Sequence, residues 1–124
     1  MVNAKILIVD DSLTTRRIIK NTLRSVGFED VIEAQDGLDA LEKLKVTSVD
    51  LMLVDWNMPK MSGIDLVKII RSKDELKGIP VVMVTTEVAK PDVVEALKQG
   101  VNDYIFKPFT PEILKEKVQK VLGR

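Results

Sequence analysis

The sequence predicts an α/β fold in which a parallel sheet is covered by helices on both faces. Five short, mostly apolar segments fit buried strands, at residues 5–9, 30–34, 49–54, 81–84 and 103–106. After each of them, apolar residues recur with helical spacing over a stretch long enough for one helix. Strands that alternate with single helices form a parallel sheet through right-handed crossovers. We therefore expect a doubly wound fold of five strand–helix units.

The first two units carry clear start and stop signals. The first strand ends in Asp10-Asp11, and Ser12 is suited to cap the helix that follows. That helix should end near Gly27, a residue type favoured just after a helix. Its expected apolar stripe is Ile18, Ile19, Thr22, Leu23 and Val26. The second helix follows the Asp36-Gly37 turn, and its expected stripe is Leu38, Leu41 and Leu44.

The remaining units repeat this pattern. Ser62-Gly63 opens the third helix, and Gly100 follows the fourth. Thr110-Pro111 is a favourable start for the last helix, because a capping side chain precedes a proline at the first helical position. The apolar face of the last helix is Leu114, Val118, Val121 and Leu122. The pattern fills residues 1–124 without a linker or repeat, so we expect one domain.

Composition limits the chemistry open to this chain. Its 124 residues include 19 Lys plus Arg and 19 Asp plus Glu, so a net charge of zero gives no general affinity for nucleic acid. The absence of Cys and His excludes thiolate sites and imidazole bases. No signal peptide is visible, and no apolar run approaches the roughly 18 residues of a membrane span. We expect a cytoplasmic, monomeric protein without nucleic-acid or membrane partners.

Polar side chains follow four of the five expected strands. Asp10 and Asp11 follow the first strand, Asp55 the third, Thr85 the fourth and Lys107 the fifth. The carboxyl ends of parallel strands lie at one edge of the sheet, where ligands bind in open α/β folds. If the first and third strands are neighbours, three carboxylates converge and raise one another's pKa values. A cation that prefers oxygen ligands would relieve this repulsion, so Mg²⁺ or Mn²⁺ is the fitting metal.

The same side chains suit phosphoryl transfer. A carboxylate such as that of Asp55 is able to attack phosphorus and form an aspartyl phosphate. Lys107 and Thr85 offer groups that bond phosphoryl oxygens, and this chemistry depends mainly on positioning and charge neutralisation. A plainer interpretation exists for each residue, because Asp10 and Asp11 fit a helix cap, Thr85 a turn and Lys107 a solvated charge. Spacing alone leaves both interpretations open.

Four motifs, together spanning the chain, resemble those of the receiver domain of bacterial two-component response regulators. They are Val9-Asp10-Asp11-Ser12, Val54-Asp55-Trp56-Asn57-Met58-Pro59, Val84-Thr85-Thr86 and Phe106-Lys107-Pro108-Phe109. The likeness is greatest to the stand-alone chemotaxis type. It implies a single receiver domain over residues 1–124, with a flavodoxin-like fold and a five-stranded parallel sheet in the order 2-1-3-4-5.

The resemblance also implies a role for each residue of the expected site. Asp55 would accept a phosphoryl group from a sensor histidine kinase. Lys107 would bond the phosphoryl group, and its peptide bond to Pro108 would be cis. The Mg²⁺ ligands would be Asp10, Asp11, Asp55 and the backbone carbonyl of Asn57.

A switch and a means of tuning it follow from the same resemblance. Thr85 would move toward a phosphoryl oxygen, and Tyr104 would turn inward into the space left behind. Asn57 and Glu87 match two positions that tune hydrolysis of the aspartyl phosphate. Thr86 departs from the chemotaxis pattern, which has a smaller residue there, so we expect an effect on switch geometry and hydrolysis rate.

Signalling would occur through binding, since no effector domain follows in this sequence. The expected output surface consists of Lys90, Val94, Tyr104, Phe106 and Lys117. The expected partners are a chemotaxis-type histidine kinase, the flagellar motor switch protein and, as an optional third, a phosphatase. Ordinary packing of Val94 and Phe106 between helix and strand is the alternative interpretation of this surface.

Three other functions share parts of this pattern. A phosphorelay intermediate would use the same site and pass the phosphoryl group to a histidine of another protein. A nucleotide-binding domain is disfavoured, because the loops after the first and third strands are acidic and lack a glycine-rich cradle. A phosphatase with an aspartyl intermediate would need a second acid to protonate the leaving group, and the sequence does not identify one.

Overall fold

A computed structural model of the chain describes residues 4–86 and 90–123, and within them five strands alternate with five helices. The strands are β1 (Ile6–Val9), β2 (Val31–Ala34), β3 (Leu51–Val54), β4 (Val81–Thr85) and β5 (Asp103–Phe106). The helices are α1 (Leu13–Ser25), α2 (Gly37–Val46), α3 (Gly63–Ser72), α4 (Lys90–Lys98) and α5 (Pro111–Leu122). All neighbouring strands are parallel in the order β2-β1-β3-β4-β5, which confirms the fold expected from the sequence.

The central strands are buried on both faces because successive side chains point to opposite sides of the sheet. Leu7 and Val9 of β1 face the helices α2, α3 and α4 on one side, whereas Ile6 and Ile8 face α1 and α5 on the other. This two-sided burial explains why the strands have nearly continuous apolar sequences. It also leaves the strand ends as the natural place for polar chemistry.

Side-chain caps start four of the helices. The hydroxyl of Ser12 accepts from the backbone N–H of Thr15, and the carboxylate of Asp36 accepts from that of Asp39. Ser62 caps α3 in the same way, and Thr110 caps α5, whose first residue is Pro111. The caps expected at Ser12 and Thr110 are therefore confirmed.

The structure corrects two details of the expected apolar stripes. Ile18 and Leu38, assigned to the buried faces of α1 and α2, are instead about half exposed, at 54% and 51%. Ile18 precedes the buried Ile19, and one residue of helix corresponds to about 100° of rotation, so both cannot face the sheet. Leu38 lies in the first turn of α2, whose buried positions are taken by Ala40 and Leu44. Within the described ranges, no helix is long and apolar enough to cross a membrane.

Candidate phosphoryl-acceptor and metal site

The register of β1 and β3 brings the acidic residues together. Val9 pairs with Val54, and the N–H of Asp55 donates to the carbonyl of Val9 at 2.9 Å. The N–H of Asp10 donates to the carbonyl of Ala34 on the other side, at 3.1 Å. The strand pairing therefore extends one residue beyond the strands and holds Asp10 and Asp55 next to each other.

Three carboxylates converge at this edge, as the sequence predicts. Asp10, Asp11 and Asp55 each offer one oxygen atom, and these oxygens all lie within 4.8 Å of one another. Asp10 is 2% exposed and Asp55 is 9% exposed, whereas Asp11 is open to solvent. The cluster is thus anchored in the core and accessible from the Asp11 side.

Lys107 brings a positive charge to two of these carboxylates. Its Nζ lies 3.2 Å from Asp10 Oδ2 and 3.4 Å from Asp55 Oδ1. The backbone N–H of Lys107 donates to the carbonyl of Thr85 at 2.9 Å, so β4 helps to place it. The peptide bond to Pro108 is cis, as the resemblance implies.

Burial raises the pKa of Asp55 above the usual value for an aspartate, and the negative charge of Asp10 raises this pKa further. Attraction and a hydrogen bond from Lys107 offset part of this rise, while the negative charge of Asp11 adds to it. The metal-free site is therefore short of positive charge. A bound cation would remove that deficit.

The donor set fits Mg²⁺. The clustered ligand atoms are carboxylate oxygens, which are the ligands that hard divalent cations prefer. Asn57 is an exposed residue in the loop after Asp55, and its carbonyl as a further ligand stays a prediction. The exposed side of the cluster leaves room for the water ligands that Mg²⁺ usually keeps.

The residues assigned to the switch, Thr85 and Tyr104, are both buried. Thr85 ends β4 and is fully buried, and Tyr104 is 6% exposed. The ring of Tyr104 lies 5.1 Å from that of Phe106 and 6.5 Å from that of Trp56, measured between centroids. Thr86 is exposed, so its side chain does not take core space beside Thr85.

Only some of the residues assigned to the output surface are exposed. Val94 and Phe106 are exposed at 41% and 42%. Leu97, three residues after Val94 on α4, is also exposed, although the sequence pattern did not assign it to this surface. The structure corrects the assignment of Tyr104 to this surface. Its ring is buried beside those of Trp56 and Phe106, so it contributes little exposed area. Lys117 is engaged within the molecule, since its Nζ lies 2.9 Å from Asp103 Oδ1.

Two of the predicted functional residues lie wholly or partly outside the part of the chain that the structure describes. Glu87, assigned to hydrolysis tuning, lies outside the described residues. The side chain of Lys90 does so as well, although its backbone begins α4. Both assignments stay predictions.

Two residues of the site's surroundings were missed by the sequence analysis. Arg16 Nη1 donates to the backbone carbonyl of Asp10 at 2.6 Å, and Arg16 Nε donates to Glu33 at 3.0 Å. The available signal was Glu33 itself, an acid in the middle of a predicted strand. Such a residue rarely becomes buried without a cationic partner.

Comparison with known proteins places this arrangement in a family. The model of the response regulator receiver domain matches residues 6–119. The chain therefore belongs to the response regulator receiver domain family. Members of this family bind Mg²⁺ at an acidic pocket, and the cluster of Asp10, Asp11 and Asp55 is such a pocket by composition.

The curated relatives are chemotaxis proteins. Chemotaxis protein CheY1 of Helicobacter pylori is 57% identical over 120 residues, which cover 96% of this chain and 97% of the relative. Chemotaxis protein CheY-3 of Vibrio cholerae is 54% identical over 122 residues, covering 98% of this chain and 94% of the relative. The chain is thus closely related to CheY chemotaxis proteins.

Solved structures agree with the fold. CheY4 of Vibrio cholerae has a TM-score of 0.90 at 37% identity, with 97% of this chain and 99% of that chain covered. A receiver domain of a sensor histidine kinase from Pseudomonas aeruginosa has a TM-score of 0.88 at 28% identity, covering 99% of this chain and all of that one (100%). The latter structure has a magnesium ion coordinated in its active-site cleft.

Proposed function

We propose that this protein is a chemotaxis-type response regulator that accepts a phosphoryl group on Asp55 from a histidine kinase in a Mg²⁺-dependent reaction. The observation that carries the proposal is the convergence of three carboxylates with the Lys107 ammonium at the carboxyl edge of the sheet. A nucleophilic carboxylate, a cation site and a fixed ammonium together supply what phosphoryl transfer to an aspartate needs.

In the proposed reaction, an Asp55 oxygen attacks the phosphorus of a phosphohistidine. The new O–P bond forms as the N–P bond breaks, and the electron pair of that bond returns to the imidazole nitrogen. Lys107 already lies against the Asp55 carboxylate, so its ammonium is placed to stabilise charge on the phosphoryl oxygens. Mg²⁺ held by Asp10, Asp11, Asp55 and the Asn57 carbonyl would neutralise further charge when bound, and Mn²⁺ has the same ligand preference.

The surroundings of Asp55 support its role as the acceptor among the three acids. Its side chain is buried, and the ammonium of Lys107 contacts both its carboxylate and that of Asp10. Asp11 is exposed, and Asp10 is more deeply buried and also accepts a hydrogen bond from the backbone N–H of Ser12, so both suit cation binding better than nucleophilic attack. Asn57 and Glu87 are the residues that we assign to tuning the lifetime of the phosphoryl group.

The output of the proposed switch is binding. Phosphorylation would shift an equilibrium between two states through Thr85 and Tyr104, whose buried positions connect the site to Phe106 on β5. The exposed Val94 and Phe106 support a partner surface on α4 and β5. We propose the flagellar motor switch protein as the partner, because the curated relatives are named chemotaxis proteins. A phosphatase is an optional further partner.

The fluorescence of Trp56, the next residue after Asp55, offers a test. We expect acetyl phosphate to change this fluorescence in the presence of Mg²⁺ and to have no such effect in EDTA. Asp55→Asn should abolish the change. Asp74→Asn removes the same charge at a side chain that is 94% exposed, so it should behave like the wild type. A change that persists in Asp55→Asn would contradict the proposal.

A further inference from the structure

Arg16 connects the acidic cluster to β2, an outer strand of the sheet. It lies on α1, and its guanidinium reaches two acceptors on different elements. Nη1 donates to the backbone carbonyl of Asp10 at 2.6 Å, and Nε donates to Glu33 Oε1 on β2 at 3.0 Å. Its side chain is 12% exposed, so these hydrogen bonds are largely shielded from water.

Glu33 fixes the orientation of that guanidinium. Burial would raise the pKa of Glu33, but hydrogen bonds from Arg16 and Lys20 lower it below the usual range, so the carboxylate is ionised at neutral pH. Its second oxygen lies 3.4 Å from Lys20 Nζ and 3.9 Å from Arg17 Nε. Of these three cations, Arg16 is the one that also contacts Asp10.

The hydrogen bond to the Asp10 carbonyl completes the fixation of this residue. The N–H of Asp10 donates to Ala34, Oδ1 accepts from the N–H of Ser12 at 2.9 Å, and Oδ2 accepts from Lys107. The carbonyl belongs to the peptide group shared with Asp11. The orientation of that peptide group decides where the Asp11 side chain points.

Asp11 has less support of its own. It is exposed, and no hydrogen bond from the part of the chain that the structure describes holds its carboxylate. Its placement within 4.8 Å of the oxygens of Asp10 and Asp55 therefore depends on its backbone. Arg16 is the side chain that holds this backbone from the α1 side.

We propose that Arg16, oriented by Glu33, is a positioning residue for the metal site, because it sets the peptide group between Asp10 and Asp11 and so the approach of the Asp11 carboxylate to the cation. This inference rests on the proposed Mg²⁺ site. Outer residues that orient metal ligands typically contribute about 10- to 100-fold to metal affinity.

Positioning and simple electrostatics differ in sign at Arg16. Removing a cation near an acidic cluster strengthens the attraction for Mg²⁺, so electrostatics alone would make Arg16→Ala bind Mg²⁺ more tightly. Loss of positioning makes the same variant bind Mg²⁺ more weakly. The direction of the change therefore separates the two effects.

Arg17→Ala is the matched control. Arg17 is the neighbouring residue of the same type, pairs with the same Glu33 carboxylate at 3.9 Å and is 63% exposed. No hydrogen bond to the Asp10 carbonyl is found for Arg17 among the described residues. Its removal changes the net charge equally but leaves that carbonyl bound to Arg16.

The test is isothermal titration of the EDTA-treated, dialysed protein with MgCl₂, with the thermal midpoint of each variant checked first. We expect the dissociation constant of Mg²⁺ to rise about tenfold in Arg16→Ala and to stay unchanged or fall slightly in Arg17→Ala. Arg16→Met, which is also neutral and keeps a long side chain but has no hydrogen-bond donor, replaces Arg16→Ala if the latter does not fold.

The outcomes separate this inference from the proposed function. If the wild type takes up no Mg²⁺, the proposed metal site itself fails. If the wild type binds Mg²⁺ and the Arg16 variant binds it as tightly or more tightly, the positioning role is overturned and the metal site stands. A comparable loss of affinity in Arg17→Ala would also overturn it, since the loss would then not depend on the hydrogen bond to the Asp10 carbonyl.

Discussion

Asp55 is a buried carboxylate beside a second acid, and this environment determines how its charge affects folding. Its pKa is raised by burial and by Asp10, so the ionised form costs stability in the metal-free protein. This cost is present above the raised pKa of the folded state. It disappears as the pH falls through that pKa toward the value of an unfolded aspartate, about 3.9.

We therefore expect Asp55→Asn to stabilise the metal-free protein at neutral pH, raising its free energy of unfolding by about 1 kcal/mol. The asparagine oxygen is still able to accept from Lys107, while the buried charge is gone. Urea denaturation in EDTA should show this gain at neutral pH and its loss as the pH falls through the raised pKa of Asp55. Asp74→Asn serves as the control for a lost surface charge, and a destabilised Asp55→Asn at neutral pH would contradict the account.

The start of α3 is the element that fits most closely against the site. Gly63 donates its N–H to the carbonyl of Trp56 at 2.8 Å, and a Cβ at this position would collide with the Asp55 carbonyl and lie 3.0 Å from the Trp56 Cα. Both obstacles are backbone atoms, which cannot move aside as a flexible side chain does. The close approach of α3 to the Asp55 loop therefore requires glycine.

Gly63→Ala should destabilise the fold by about 2 kcal/mol, because overpacking forces the backbone to shift. The shift would occur next to Asp55, so we also expect weaker Mg²⁺ binding. Urea denaturation and Mg²⁺ titration measure the two effects. Gly78→Ala is the matched control, since nothing lies within 4 Å of a Cβ there. Equal behaviour of the two variants would show that the contact at Gly63 has no energetic weight.

Elements were easier to predict than the contacts between their side chains. Ser12 and Thr110 each cap a helix by a hydrogen bond to the backbone N–H three residues later. Because this contact is local, the sequence was sufficient to predict where these two helices start. Ile18 was assigned to the wrong face because α1 has adjacent isoleucines, and only packing decides which one is buried. The link between Arg16 and Glu33 joins residues 17 positions apart on different elements, a distance that local patterns do not reveal.

At the scale of the whole molecule, the two ends of the parallel strands have different roles. The carboxyl edge holds the charged site. The opposite edge is tied by Arg71, whose guanidinium donates to the carbonyls of Lys77, Ile79 and Gly100 and to the side chain of Asn102, at 2.7 to 3.1 Å. Arg71 thereby joins the end of α3 to the segments that lead into β4 and β5.

We expect Arg71→Met to lower the free energy of unfolding by about 2 kcal/mol, because it leaves partly buried carbonyls without their donor. The affinity for Mg²⁺ should be unchanged, since Arg71 lies at the far edge of the sheet. Lys68→Met, an exposed cation on the same helix, should alter neither property. Loss of Mg²⁺ binding in Arg71→Met would show that stability and site geometry are not separable in this fold.

The site as a whole was expected from the sequence because the parallel topology collects strand ends. The sequence pattern left open whether β1 and β3 are neighbours, and the family resemblance supplied that strand order. With β1 beside β3, the strand ends bring Asp10, Asp11 and Asp55 together, and the structure confirms this convergence. The ion pairs of Lys107 with Asp10 and Asp55 required the structure, because side-chain conformation depends on packing. The structure was also needed to show that Tyr104 is already buried in the unphosphorylated chain.

The central claim is that Asp55 takes up the phosphoryl group, and chemical mapping of the modified residue tests it most directly. The protein is treated with acetyl phosphate and Mg²⁺, reduced with borohydride to convert an aspartyl phosphate into homoserine, and sequenced by mass spectrometry. We expect homoserine at position 55 in the wild type and at no position when Mg²⁺ is replaced by EDTA. Homoserine at another aspartate, or none although Mg²⁺ is bound, would contradict the account.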